Sequence, residues 1–287
     1  MKLTEYLQKQ YTPKTAKAYI REIEIFTAAN PENKKYTYSE IINYIGVLRT
    51  RYSNPKTINR ILASIKAYYS YLCFAGTRKD NPTKSILLKD KQSRDIQLQD
   101  LFATEELEVL LTAKKERFTN LDYRNKVLMS LLIYQALKPN EIEALECEEI
   151  NLEEATVYIK SSAKNNSRTL ALKANQILLF KKYLEEIRPK LVQENETKSF
   201  IIGQRKGPMT AEDITKHIKR NYDIYRPRIV NALTIRQSVI ANLLKQNNDL
   251  RIVQSFAGHK YPSTTERYKQ NNVDALQTAL QIYHPIR

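Results

Sequence analysis

Apolar residues recur at helical spacing along nearly the whole chain, and this periodicity limits the fold more than any other feature. In the N-terminal part, local start signals predict helices that begin at Thr12-Pro13, at the capping box Thr37–Glu40 and at Asn54-Pro55. The apolar positions after these signals predict a bundle of four helices over residues 1–76, with Gly76 ending the last one. We therefore expect a mainly α-helical protein.

One stretch departs from the helical pattern. Thr156–Ile159 and Arg168–Leu172 have β character, and they flank the polar run Lys160–Ser167. This arrangement predicts a β-hairpin with Lys164 near its tip. Helical spacing returns afterwards, so the expected fold class is mainly α with a small β-hairpin or sheet.

A polar, basic and aperiodic stretch separates two helical parts of the chain. Residues 77–103 predict an interdomain linker, which leaves a helical domain at 1–76 and a second domain at 104–287. Two small domains joined by a basic tether are able to close around a DNA duplex. The alternative, an ordinary surface loop, stays open at this point.

The charge balance favours nucleic acid as the partner. The chain carries 47 Lys and Arg against 31 Asp and Glu, a net charge of +16, and a polyanion relieves the self-repulsion of so basic a protein. A basic but inert surface is the alternative. The residues that we predict to contact DNA lie on the bundle, the linker and the hairpin: Lys14, Lys17, Arg49, Arg51, Lys56, Arg60, Lys66, Arg94 and Arg168.

Several other classes are disfavoured. The sequence has no apolar run long enough to cross a membrane and no apolar signal-peptide core at its start, which predicts a cytoplasmic, nucleoid-associated protein. Cys73 and Cys147 each fall in a helical pattern and predict buried thiols. No phosphate-binding glycine motif occurs, and His217, His259 and His284 lack metal-ligand spacing, so we expect neither a cofactor nor a metal.

The most informative motif lies near the C-terminus. Tyr268 follows Gly258-His259 on the next predicted helix, and Arg236 lies on an earlier helix. A phenol has a pKa of about 10 and is a weak nucleophile at neutral pH, so it needs a phosphate already neutralised by cations. This order of arginine, Gly-His and Thr-Thr-x-x-Tyr resembles the tyrosine recombinase (phage integrase) family.

The resemblance implies both a fold and a chemistry. It implies an N-terminal core-binding domain and a C-terminal catalytic domain, in which Tyr268 attacks a DNA phosphate to form a 3′-phosphotyrosyl link. Arg236 and His259 then stabilise the developing charge, and a hairpin lysine protonates the 5′-hydroxyl that leaves. Lys164 is the first choice for that lysine and Lys160 the second.

Two positions depart from the family pattern. Lys138 replaces the first catalytic arginine, although Glu141 keeps the acidic residue three positions later. Leu233 replaces the histidine of the His-x-x-Arg motif that ends at Arg236. Lysine keeps the charge but loses the planar fork of arginine, and a lost oxyanion donor costs roughly 2–4 kcal/mol. The residues that we consider as replacement donors are Arg226, Arg228 and Lys260.

Three functions remain open from the sequence. A site-specific recombinase is preferred; a catalytically impaired DNA-binding protein on the same scaffold and a type IB topoisomerase are the alternatives. The resemblance also implies a homotetramer on two duplexes, monomeric in free solution, whose C-terminal helices dock on neighbouring subunits; a helix packed on its own subunit is the alternative. The apolar stripe of that helix is Val273, Leu276, Ala279, Leu280 and Tyr283.

Overall fold

The computed structural model describes residues 1–90, 98–192 and 197–268. The chain divides into two compact units, Met1–Arg94 and Asp95–Arg287. Helices dominate both units, and the sheet of the second has three short strands. The predicted fold class, mainly α with a small sheet, is confirmed. No helix in the described ranges has the length and apolar character needed to span a lipid bilayer.

Local capping chemistry explains where the helices of the first unit begin. The Thr12 hydroxyl accepts a hydrogen bond from the Thr15 amide, the Asn54 side chain accepts one from the Lys56 amide, and Thr37 forms the expected capping box. The predicted helix starts are therefore confirmed. The helices are α1 (Leu3–Gln10), α2 (Pro13–Ala29), α3 (Tyr38–Arg51) and α4 (Pro55–Phe74).

The first unit extends beyond the bundle that the sequence predicted. Ile86 is buried in its core, and the Lys66 ammonium on α4 donates to the Ile86 carbonyl at 2.6 Å. Ile86, which lies in the segment that the sequence predicts as a linker, therefore packs against α4. Helical periodicity ends at Gly76 because the chain continues there in an irregular conformation, which leaves no periodic signal. Arg94 lies outside the described ranges.

Most helices of the second unit pack around one large core. The centre of that core is α6, where Val127, Leu128, Leu131 and Leu132 are almost fully buried. Its helices are α5 (Thr104–Val109), α6 (Thr119–Tyr134), α7 (Pro139–Glu143), α8 (Ala174–Lys182), α9 (Arg188–Val192), α10 (Ala211–Asn221), α11 (Ala232–Lys245), α12 (Leu250–Ala257) and α13 (Pro262–Glu266). A π-helical turn at Tyr183–Ile187 joins α8 to α9.

The predicted hairpin is present. The strands β2 (Thr156–Ile159) and β3 (Arg168–Ala171) pair antiparallel, with Ile159 opposite Arg168. A third strand, β1 (Ile150–Asn151), pairs with β2 in the order β1-β2-β3. With only two residues, β1 is too short to give a periodic signal in the sequence.

The hairpin loop reaches the end of α12. Asn165 forms an isolated antiparallel bridge with His259, and the Asn166 amide donates to the Gly258 carbonyl at 3.0 Å. The core helices α6 and α11 also pack against each other. The turn after α6, helix α11, the α12–α13 connection and the hairpin therefore converge on one region.

Candidate active site

Arg236 is buried at the centre of this region. Helix α11 starts at the Asn231 cap, whose side-chain oxygen accepts hydrogen bonds from the Leu233 and Thr234 amides, and its buried face carries Arg236, which is 3% exposed. The guanidinium donates to the Ala136 carbonyl, to the Ala257 carbonyl at 2.6 Å and to His259 Nε2 at 3.2 Å. Arg236 thus connects the turn after α6 with the end of α12.

His259 is neutral in this site. Burial, together with the nearby charges of Arg236, Lys138 and Arg168, lowers its pKa to about 4. Arginine can only donate hydrogen bonds, so Nε2 must be the acceptor and the ring proton lies on Nδ1. Nδ1 is 2.9 Å from Thr265 Oγ1 and donates to it. The imidazole is therefore fixed from both sides.

Tyr268 lies beside that imidazole. Its ring stacks on His259 with the centroids 6.0 Å apart and the planes at 18°. Its backbone amide donates to the Thr265 carbonyl at 2.9 Å, and its ring packs against the small cluster of Ile240, Val253 and Ala257. Burial raises the pKa of the phenol, while Arg236 and Arg267 oppose the rise. Tyr268 is consequently protonated at neutral pH and lies close to Arg236.

A buried carboxylate organises the other side of the site. Glu141 on α7 accepts two hydrogen bonds of 3.0 Å from the Arg168 guanidinium and one of 3.1 Å from the side-chain Nδ2 of Asn165. Burial alone would raise the pKa of Glu141, but the Arg168 bonds and the Lys138 backbone amide outweigh it and hold the pKa below its usual value. Glu141 is therefore ionised, and Arg236 Nη1 is 4.0 Å from it.

Arg168, which the sequence predicts as a DNA contact, is buried in the protein. Its side chain is only 3% exposed and faces Glu141 instead of solvent. The guanidinium also lies against Gly258, where a β-carbon would be 2.6 Å from Nη1. Gly258 has a left-handed φ of +67°, which favours glycine. Arg168 was assigned to DNA from its charge alone, because its buried partner is far away in the sequence.

Lys138 lies at the first turn of α7. Its backbone amide donates to Glu141 at 2.9 Å, and its ammonium donates to Asn165 Oδ1 at 2.6 Å. Burial and the neighbouring charge of Arg236 lower its pKa to about 8, although Glu141 opposes the shift. The lysine that replaces the expected arginine is thus part of the cluster.

The two hairpin lysines lie in different surroundings. Lys160, at the end of β2, forms ion pairs of 2.9 Å with both Glu146 and Glu149, which raise its pKa. Lys164 is exposed next to Asn165, and its backbone amide donates to Ser162 Oγ at 3.3 Å. The charge of Lys164 acts on Lys138, whereas Lys160 is held by two carboxylates at the hairpin stem.

The considered replacement donors do not join the buried cluster. Arg228 pairs with Glu106 and donates to the Leu101 carbonyl, and Arg226 pairs with Asp223. Lys260 is exposed beside His259. Leu233 is 61% exposed on the first turn of α11, so the position of the missing histidine faces away from the core.

Most of the cations predicted to contact DNA are exposed on the first unit. Lys14, Lys17, Arg51 and Lys56 are exposed on α2, α3 and α4. Arg49 and Arg60 are exposed as well, but they pair with Asp90 at 3.0 Å and with Glu22 at 2.7 Å. Lys66 differs, since it is half-buried against Ile86. Its ammonium is therefore engaged within the first unit, and its contact with DNA stays a prediction.

Sequence reasoning missed three residues of the site. Asn165 links Lys138 to Glu141, the Thr265 hydroxyl accepts a hydrogen bond from His259 Nδ1, and the Ala136 carbonyl accepts one from Arg236. Ala136 has a left-handed φ of 51°, which is uncommon for a residue with a β-carbon. Ala136 stands between Gln135 and Leu137, at the position of the glycine in the Thr-Gly-Leu segment that the family usually has. That glycine position was the sequence signal for a left-handed backbone at Ala136.

Curated relatives share most of the length of the chain. The tyrosine recombinase XerD of Listeria monocytogenes is 26% identical over 290 residues, which cover 97% of this chain and 95% of the relative. XerD of Staphylococcus saprophyticus is 25% identical over 289 residues, with the same two coverages.

Solved structures share the fold. The XerH site-specific recombinase bound to its palindromic difH substrate, a post-cleavage complex, aligns with a TM-score of 0.67 and 22% identity, over 88% of this chain and 73% of that one. The Tn1549 transposon integrase with circular-intermediate DNA aligns with a TM-score of 0.65 and 14% identity, over 98% and 99%. At these identities the two likenesses establish the fold alone.

A family model matches most of the second unit. The model described as the phage integrase family matches residues 101–274, which include Lys138, Arg236, His259 and Tyr268. That match spans more than half of the chain. The chain therefore belongs to the phage integrase family of DNA strand-cleaving and rejoining enzymes, as its C-terminal motif had implied.

Proposed function

We propose that this protein is a site-specific DNA recombinase in which Tyr268 is the nucleophile. The observation that supports this most directly is the convergence of Arg236, His259 and Tyr268 in one cluster, where His259 contacts both of the others. Because Tyr268 is protonated and half-buried, it becomes reactive only when a phosphate and nearby cations stabilise the phenolate.

The proposed reaction conserves the energy of the DNA backbone. Tyr268 Oη attacks the scissile phosphate and forms a 3′-phosphotyrosyl bond, and a 5′-hydroxyl leaves with a proton from a lysine. Arg236 stabilises the negative charge on the non-bridging oxygens, and His259, whose Nε2 accepts from Arg236 and whose Nδ1 donates to Thr265, holds that guanidinium in position. Attack by the 5′-hydroxyl of another strand then rejoins the DNA in a new arrangement.

Positive charge supports double-stranded DNA as the substrate. The net charge of +16 and the exposed cations of α2, α3 and α4 provide phosphate contacts. Three cations, those of Lys138, Arg168 and Arg236, lie near the single carboxylate of Glu141. This excess of cations favours a bound phosphodiester.

The replacement of the first arginine fits a modified site. Lys138 keeps a positive charge at that position, and Arg168 holds Glu141 in place from the hairpin. We propose that these two residues together provide what the missing arginine does elsewhere in the family. A DNA-binding protein without catalysis is the second candidate, and the exposed Leu233 is the observation that favours it.

The assembly remains part of the proposal. We propose a monomer in free solution that forms a tetramer on two duplexes by exchange of its C-terminal segment. The apolar stripe predicted for that segment, Val273 to Tyr283, lies outside the described ranges. A cytoplasmic, nucleoid-associated location also stays a prediction.

A plasmid assay separates the three functions. A supercoiled plasmid carries two copies of a candidate site taken from the DNA next to the gene, and it is incubated with the protein or with Tyr268→Phe. The proposal predicts recombinant circles with the first protein and none with the variant. Relaxed plasmid without recombinants would indicate a topoisomerase, and binding without either product would indicate a non-catalytic protein.

A further inference from the structure

Lys138 is placed differently from either hairpin lysine. It caps the short helix α7 within the main body of the second unit, and its ammonium is fixed by a 2.6 Å hydrogen bond to Asn165 Oδ1. An ammonium has three N–H groups, so the bond to Asn165 leaves protons for a substrate. Lys138 therefore combines a fixed position with the ability to donate.

The surroundings of Lys138 weaken its hold on a proton. Its side chain is half-buried, and cations on α11, on β3 and on the hairpin loop act on it. The charged groups around it are Arg236 on α11, Arg168 on β3, Lys164 on the hairpin loop and Glu141 on α7. Burial, together with these three cations against one carboxylate, lowers the pKa of Lys138 to about 8. Such a group is mostly protonated at neutral pH but can release its proton.

The residue type matters for the chemistry. An arginine has a pKa above about 12 and does not give up a proton in proteins. A lysine with a pKa near the working pH is a good general acid. Lysine in place of arginine at position 138 therefore removes a two-point phosphate contact and adds a proton donor at the same position.

The hairpin lysines are less suited to this step. Lys160 is bound by Glu146 and Glu149, which stabilise its charged form. Lys164 is exposed at the loop. Only Lys138 is fixed by a hydrogen bond to the residue that also bonds Glu141, among the lysines in the described part of the chain.

We propose that Lys138 is the general acid that protonates the leaving 5′-oxygen, a role that rests on the recombinase function proposed above. The Tyr268 Oη–P bond forms, the P–O5′ bond breaks, and its electron pair stays on O5′. A proton moves from Lys138 Nζ to O5′ and leaves a neutral amine. The phenol proton passes to solvent water, from which the amine is protonated again.

Asn165 acts as a positioning residue in this account. It accepts from Lys138 and donates to Glu141, so it aligns the ammonium relative to the carboxylate. Because the hairpin loop carries Asn165, a shift of the loop also shifts the proton donor. Asn165→Ala is expected to lower the cleavage rate and to show the same substrate dependence as Lys138→Ala.

A substrate with a bridging sulfur tests the proposal. A nicked duplex is prepared with either oxygen or sulfur at the 5′-bridging position of the scissile phosphate, since a thiolate leaves without a proton. Cleavage rates are measured for the unsubstituted protein, Lys138→Ala, Lys138→Arg and Lys164→Ala. Lys216→Ala, on the exposed lysine of α10 that pairs with Glu212, is the matched control.

Lys138→Ala and Lys138→Arg are expected to cleave the oxygen substrate roughly 100-fold or more slowly, the usual effect of a general acid. Both should recover most of that loss on the sulfur substrate. The proposal would be overturned if the two Lys138 variants lost the same factor in cleavage rate on both substrates. It would also be overturned if Lys164→Ala were the only variant whose cleavage rate recovered on the sulfur substrate. Absence of cleavage of both substrates by the unsubstituted protein would instead contradict the recombinase function.

The pH dependence of the unsubstituted protein gives an independent test that requires no variant to fold. The acid form of Lys138 is lost as the pH rises through about 8. Cleavage of the oxygen substrate should therefore fall above that pH, relative to cleavage of the sulfur substrate at each pH. A rate ratio that does not change between pH 7 and pH 9 would overturn the proposal.

Discussion

Arg168 holds Glu141 through two parallel hydrogen bonds of 3.0 Å, and both side chains are almost completely buried. A salt bridge in water contributes little to stability. A buried pair is different, because the loss of one partner leaves the other charge without compensation. This pair joins β3 to α7, and Arg236 Nη1 lies 4.0 Å from Glu141, so we expect the pair to affect both stability and catalysis.

Arg168→Ala should destabilise the second unit by about 3–5 kcal/mol, because it leaves the Glu141 carboxylate buried and unpaired. The measurement is chemical denaturation of the full chain. Lys216→Ala removes an exposed pair and should change the free energy of unfolding by at most about 1 kcal/mol. Similar values for the two variants would contradict the importance of the Arg168–Glu141 pair.

Gly258→Ala should also destabilise the second unit. The new β-carbon would be 2.6 Å from Arg168 Nη1, at a residue with a φ of +67°, so the guanidinium would have to leave Glu141. Gly207→Ala is the control, because no heavy atom lies within 4 Å of the added carbon. We expect a clearly lower thermal unfolding midpoint for the first variant only. Equal midpoints would show that the close approach does not constrain the site.

Acid should destabilise the protein before its carboxylates titrate. Burial lowers the pKa of His259 and of His217 to about 4, whereas an unfolded histidine has a pKa of about 6.5. Between these values the unfolded chain binds protons that the folded chain does not. The free energy of unfolding should therefore fall as the pH drops from about 6.5 to about 4.

The histidine contribution is measured by chemical denaturation at several pH values in that interval. His217→Gln removes one of the two groups and should make the pH dependence shallower. If the free energy of unfolding did not depend on pH in this interval, or depended on it equally in the variant, the claim that these histidines are neutral in the folded protein would be contradicted.

Exposed and buried lysines of the bundle should differ in DNA binding. Lys56 is exposed on α4, whereas the Lys66 ammonium is bound to the Ile86 carbonyl. Lys56→Gln should lower the slope of log affinity against log salt by about 0.9 if one phosphate contact is lost. Lys66→Gln should leave that slope unchanged. The opposite result would place the DNA on another face of the bundle.

Leu233→His tests whether the lost histidine limits the rate. Leu233 is exposed one turn before Arg236, so a polar side chain can be placed there without loss of core packing. If the new imidazole donates to the phosphate, cleavage should become roughly 100- to 1000-fold faster, on the scale of one oxyanion donor. No change in the single-turnover cleavage rate would show that the site does not use a donor at this position.

The elements that follow from local chemistry were predictable. Thr12, Thr37 and Asn54 each satisfy backbone amides within a few residues, so their sequence context is sufficient to place a helix start. The hairpin strands were predictable because two segments of β character flank a polar run. The position of Tyr268 after Gly258-His259 was recognisable because the motif is contiguous in sequence.

The interactions between distant segments were not predictable. Arg168 and Glu141, and Lys66 and Ile86, pair only after the chain has folded, and the sequence shows no sign of either pairing. A charge pattern alone therefore assigned both cations to DNA. Asn165 was missed for a similar reason, since an asparagine in a hairpin loop is ordinarily interpreted as a turn residue.

The most direct test of the central claim is covalent trapping of Tyr268 on DNA. A nicked duplex that carries the candidate site is incubated with the unsubstituted protein, Tyr268→Phe or the control Tyr261→Phe, whose side chain is exposed near the site. The adduct is isolated on a denaturing gel, and its linked peptide is identified by mass spectrometry. We expect an adduct at Tyr268 with the unsubstituted protein and the control, and none with Tyr268→Phe. An adduct that persists in Tyr268→Phe, or tight binding without any adduct, would contradict the account.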